Sequence, residues 1–96
     1  MSNASIFDDL LEETGVMSSP RAIEASEAYQ TLLEEGDYAI PRLIEKLRDK
    51  EYEGCWVAII LLLRNITGED PSPKADAGHI DRQVQAWRDW WTTRNS

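Results

Sequence analysis

The residues able to do chemistry in this chain are few, and their spacing excludes more than it suggests. His79 is the only histidine and Cys55 the only cysteine. A structural zinc site needs about four nitrogen or sulfur ligands and lacks them here. One cysteine allows no internal disulfide, and its apolar neighbours mark it as a small buried hydrophobe rather than a nucleophile. Glu69, Asp70 and Asp76 share a loop, but two prolines interrupt them and their spacing is not that of a calcium-binding loop. No glycine-rich phosphate loop and no Ser-His-Asp set is present. The chain reads as a protein without catalytic residues, metal or cofactor.

Two groups remain that recognise rather than react. The first is acidic. Residues 1–36 carry Asp8, Asp9, Glu12, Glu13, Glu24, Glu27, Glu34 and Glu35, eight acids against Arg21 alone, a balance of −7 within a total of −8. On helices these side chains fall opposite the apolar stripes. There they either solvate the fold or meet a basic protein partner, with Asp8, Asp9, Glu12, Glu13, Glu24 and Glu27 as its contact residues. No pair is marked for acid–base work by burial or by a nucleophile. The same charge repels phosphate backbones, so nucleic acid is not an expected partner.

The second group is aromatic: "HIDRQVQAWRDWW", residues 79–91, holds three tryptophans. At about 100° per residue, Val84, Trp87 and Trp91 all fall within about 40° of Ile80, on one stripe, whereas Trp90 lies about 80° to its flank. Trp87 and Trp91 are therefore expected to close the end of the fold. Trp90 either packs at the core edge or touches a partner, tryptophan being enriched where interfaces concentrate their energy. With Arg82, Arg88 and Arg94, this helix has the amphipathic character of a membrane-surface element, but the negative total charge and the need to cap the fold argue against that role.

Helical periodicity supplies the elements that must position these groups. A first helix is expected from about Ser5 to Thr14, capped by Ser5 and stopped by Gly15, with Ile6, Phe7, Leu10 and Leu11 inward. Ser18-Ser19-Pro20 opens a second, running unbroken to Glu35 and ending at Gly36, with Ala22, Ala25, Tyr29, Leu32 and Leu33 on one side. Asp37 is the expected cap of a third, whose face is Ile40, Leu43, Ile44 and Leu47. Pro41 falls in its first turn, where it removes at most one ladder bond.

A fourth helix, about Glu53 to Thr67, is apolar almost all round and stops at Gly68. Its nine-residue apolar run, Cys55–Leu63, is too short to cross a bilayer. No second strand is available to pair with it, so it is read as a helix packed on several sides. After "GEDPSPKAD", Asp76 is the expected cap of the last, Trp-rich helix, residues 77–93. Residues 1–4 resemble a tag remnant outside the domain, which spans 5–96. No basic and apolar leader precedes it, so a cytoplasmic location is expected. An apolar content of 42% is enough for one folded core.

Residues 38–67, "YAIPRLIEKLRDKEYEGCWVAIILLLRNIT", resemble one HEAT repeat: Pro41, Leu43-Ile44 and Leu47 in the first helix, Asp49 at the turn, Ala58 and Leu63…Ile66 in the second. The ending "LRNITGED" followed by "WRDWW" is similar to that of many bacterial HEAT-like proteins, where an Ile-Thr-Gly stop leads to a terminal Trp-rich helix. Two positions depart from the pattern. Cys55 stands where such repeats carry an arginine that bonds the turn aspartates, and "PSPK" replaces an aromatic, glycine-containing linker. Gly36-Asp37 and Gly68-Glu69 punctuate two helix pairs 32 residues apart, the difference between 68 and 36.

The resemblance implies an all-α, short HEAT-like antiparallel stack of about five helices, used for protein–protein interaction. Solenoids of this kind need about three units, each stabilised by its neighbours. A stack this short must cover both ends, and a homodimer is one way to do so. The competing expectation is a small-molecule or peptide binder that uses an inter-helix groove with Trp90 as platform.

Overall fold

The computed structural model describes residues 6–15, 19–72 and 78–94. Among them the chain is all-α: α1 (Ile6–Thr14), α2 (Pro20–Glu24), α3 (Glu27–Glu35), α4 (Ile40–Lys46), α5 (Trp56–Thr67) and α6 (Ile80–Arg94). Short 3-10 turns at Gly36–Ala39 and Lys50–Cys55 lead into α4 and α5. The expected stack of about five helices is present, α2 and α3 together standing where one helix was expected. The expected cap residues Ser5, Ser18 and Asp76, and residues 1–4, lie outside the described residues.

Helix α5 is the centre. Ala58, Ile59, Ile60, Leu62 and Leu63 are buried, and α2, α3, α4 and α6 all pack against it. Its composition explains this: nearly all of its circumference is apolar and has to be taken out of water. The α4 face closes one side with Ile40, Leu43, Ile44 and Leu47, all buried at the expected spacing. Gly68, at φ 71°, ends α5 in the left-handed conformation, its N–H bonded to the Arg64 carbonyl.

The second expected helix is interrupted. Ala25 and Ser26 separate α2 from α3, and Ser26 is the N-cap of a new helix, its hydroxyl oxygen accepting from the Tyr29 N–H at 3.2 Å. Restarting the helix resets its phase, so the buried face is not the one that a continuous helix would present. Ile23, Ala28, Tyr29 and Leu32 are buried, whereas Ala25 and Leu33 are exposed. Two further boundaries move for similar reasons. Asp37 does not cap the third helix; it lies within a 3-10 turn, and α4 begins at Ile40. The fourth begins at Trp56, because Asp49 accepts from the Glu51 N–H and starts a 3-10 turn instead.

Helix α1 is bound to the stack by packing and by two carboxylates. Phe7 and Leu10 are buried. The Tyr52 hydroxyl donates to Asp8 Oδ1 at 2.7 Å. Glu13 Oε1 accepts from the Ser26 hydroxyl at 2.6 Å and from the Ala28 N–H at 3.2 Å. Glu13 thus supplies a second acceptor at the start of α3, where orphan N–H groups and the helix dipole both favour negative charge. At the far end of the α1 turn, Gly54 approaches so closely that a Cβ there would lie 3.1 Å from Leu11 Cδ1.

Losing this shared cap is expected to cost more than losing a surface charge on the same helix. Glu13→Ala should destabilise by about 1–2 kcal/mol in urea denaturation, and Glu12→Ala by less than about 0.5 kcal/mol. Equal effects would contradict the capping role.

Candidate functional site

The acidic residues of the first third fall into two sets, those bonded to other elements and those left to solvent. Asp8 and Glu13 are committed to Tyr52 and to the start of α3. Glu35 bonds Arg42 at 2.6 Å. Asp9 and Glu12 on α1, Glu24 on α2 and Glu27 on α3 are exposed, with no ion pair or hydrogen bond to their carboxylates among the described residues. Of six expected contact residues, five are exposed and Glu13 is half-buried; Asp8, although exposed, and Glu13 are the two that bond to other elements. Sequence spacing placed all six opposite the apolar stripes, but only packing shows that the flanks of α1 are covered by α3 and by the Lys50–Cys55 turn.

The tryptophans separate differently from the expected pair and singleton. Trp87 is fully buried beside Val84 and closes the core. Its indole N–H has no hydrogen-bond partner among the described residues, so packing alone has to offset that cost. Trp91, expected to close the fold with Trp87, is only half-buried. It lies one turn nearer the end of α6, beside Pro41, Ile44 and Arg48. Trp90 is also half-buried and packs against Trp87 in an edge-to-face pair, with centroids 5.1 Å apart and planes at 72°. Trp56 sits across the start of α5 and donates its indole N–H to the Lys46 carbonyl at 2.9 Å, satisfying an acceptor at the end of α4.

Trp90 is also the residue around which an open groove forms. The groove has a volume of about 560 Å³ and is lined by Glu69, Pro71, Asp89, Trp90, Thr93 and Arg94. The Arg94 guanidinium lies over the Trp90 ring, 4.9 Å from its centroid, and approaches Glu69 Oε2 at 3.8 Å. The Trp90 N–H points to Glu69 Oε1 at 3.5 Å, the long end of a hydrogen bond. Glu69 and Arg94 were not recognised as members of one site from sequence. The i, i+4 spacing of Trp90 and Arg94 on one helix was a usable signal; the loop that carries Glu69 back to them was not.

The remaining candidates are accounted for by local structure. Asp70 accepts from the Ser72 hydroxyl at 2.8 Å and lies 3.8 Å from Arg64. The exposed His79 uses its backbone carbonyl to start α6, accepting from the Arg82 and Gln83 N–H groups. Among the described residues no cluster of three or more His, Cys, Asp or Glu is placed to hold a metal ion. Cys55 is buried, and its thiol faces the Tyr52 carbonyl at 3.3 Å. Burial pushes its pKa from an ordinary 9.0 up to about 12. A thiolate is the reactive form of cysteine, and this environment suppresses it.

No protein-family model matches the chain, and comparison with curated proteins and with solved structures finds no significant match.

Two measurements check these assignments. Trp87→Ala should cost about 3–5 kcal/mol of stability, whereas Trp90→Ala should leave the chain folded with less than half that loss. A change below about 1 kcal/mol at Trp87 would contradict its capping role. The Cys55 thiol should resist an alkylating reagent at neutral pH until the protein unfolds. Because its folded pKa is raised, its contribution to stability is complete below about pH 9 and is lost as pH climbs towards about 12. Rapid native-state labelling at pH 7 would overturn this.

Proposed function

We propose that this chain is a non-catalytic protein-interaction module built as a short HEAT-like helical stack, acting in the cytoplasm on a partner with a basic surface. The observation that carries the reading is the set of four outward carboxylates, Asp9, Glu12, Glu24 and Glu27. They stay exposed, with no ion pair among the described residues, while neighbouring acids bond to other elements. The excess of −7 over residues 1–36 surrounds them with negative potential, which favours fast, salt-sensitive association with a cationic surface and disfavours nucleic acid. No helix among the described residues is long and apolar enough to cross a membrane. Support for the HEAT-like reading comes from α4 and α5 packing as a pair over residues 40–67, with the Trp56 N–H tying their ends together.

A second reading is favoured by the groove beside Trp90, whose volume suits a peptide segment or a small molecule. The two readings place the binding surface on different elements, α1 to α3 in one and α6 with the loop before it in the other. A homodimer through an end of the stack is compatible with either.

Replacing Asp9, Glu12, Glu24 and Glu27 together by lysine should leave the fold intact, since all four are exposed. It should abolish capture of basic partners from native extract, and moderate salt should reproduce that loss with the unaltered chain. Undiminished capture by the quadruple variant would rule out the acidic face as the binding surface.

A further inference from the structure

We propose that the groove beside Trp90 is a receptor for an arginine side chain of the partner protein, and that Arg94 occupies this receptor in the free chain. The inference rests on the reading that the partner is basic. It adds a site, a recognised group and a means of self-restraint.

The geometry defines a position for a planar cation. The face of Trp90 supplies the negative side of a ring quadrupole, and Arg94 lies over it at 4.9 Å. Glu69 brings one carboxylate oxygen to 3.8 Å from the Arg94 guanidinium and turns the other towards the Trp90 N–H at 3.5 Å. Ring and carboxylate are thereby coupled, one holding the orientation of the other. A flat, weakly hydrated guanidinium that stacks and bonds a carboxylate at once fits this arrangement better than a compact ammonium.

The groove is also larger than its resident group requires. It has a volume of about 560 Å³ and continues past Arg94 to Pro71, Thr93 and Asp89, enough for a side chain and some flanking backbone. Asp89 adds a second carboxylate, engaged among the described residues only by the neutral Gln85 amide at 2.9 Å. With Arg94 in place the groove's charged lining among the described residues is two carboxylates and one guanidinium. With Arg94 swung away it is two carboxylates, inside a chain of net charge −8, so displacement strengthens the attraction for an incoming cation.

Arg94 can leave without disturbing the fold. It is in the last turn of α6, its side chain is 53% exposed, and its contacts to Trp90 and Glu69 are those of a solvent-exposed side chain. An incoming arginine replaces both contacts and gains Asp89. Self-occupancy lowers apparent affinity by the fraction of time that the ring is covered, so removing Arg94 raises affinity for an incoming arginine.

The test uses the isotope-labelled full chain and follows its tryptophan indole and backbone amide NMR signals, with the Trp90 indole assigned through Trp90→Phe. The probe is the peptide acetyl-Gly-Gly-Arg-Gly-Gly-amide, compared with its citrulline counterpart, which has nearly the same shape and no charge. The arginine peptide should shift the Trp90 indole saturably and the citrulline peptide should not. Arg94→Gln should tighten arginine-peptide binding about three- to tenfold by uncovering the ring, and Glu69→Gln should weaken it about tenfold. The proposal is overturned if Arg94→Gln binds no more tightly than the unaltered chain, or if citrulline serves as well as arginine. If the arginine peptide shifts only the amides around Asp9, Glu12, Glu24 and Glu27, the groove is wrong while the basic-partner reading stands. If neither region responds to the peptide in any variant, both fail.

Discussion

Helix α5 imposes the constraint that the rest of this small fold answers. Its sides from Trp56 to Leu63 are almost wholly apolar, so a position at any surface would leave hydrocarbon in water. The chain surrounds it with α2, α3, α4 and α6, whose buried side chains include Ile23, Leu32, Leu43, Ile44, Val84 and Trp87. Helix α1 then covers the next layer through Phe7 and Leu10. One central helix covered on several sides is an economical way for a chain of this length to enclose a core.

Short helices packed this tightly bring many helix ends into a small volume, and each end leaves backbone groups that need partners. Those partners come from side chains that a surface reading assigns elsewhere. Glu13 leaves the solvent face to meet Ser26 and Ala28, the Trp56 indole reaches the Lys46 carbonyl, and Asp8 accepts from Tyr52. The strong negative charge of the first third is thus divided between structural work at helix ends and display to solvent. That division is what supports the proposal that Asp9, Glu12, Glu24 and Glu27 meet a basic partner.

Three tryptophans in five positions serve in three environments. Trp87 is core, Trp91 is packed at the rim beside α4, and Trp90 packs against Trp87 and has one face under Arg94. Core and candidate site therefore share a wall. A ring held from behind by a fully buried neighbour presents its exposed face with little loss of side-chain freedom on binding, which is the form of preorganisation that binding sites favour.

Periodicity and punctuation in the sequence determined the helical class, the buried face of α4, the central character of α5, the stop at Gly68 and the burial of Trp87. All of these depend on contacts within a few turns of one helix. Tertiary structure decided the break at Ser26, the late start of α4 and α5, the engagement of Asp8 by Tyr52 and of Glu13 by the start of α3, and the meeting of Glu69 with Trp90 and Arg94. Each of those pairs residues that are distant in the chain or competes with a local helical preference. A capping side chain from another helix, or a loop returning across a groove, leaves no periodic trace in the sequence because its partner is chosen by packing and not by spacing.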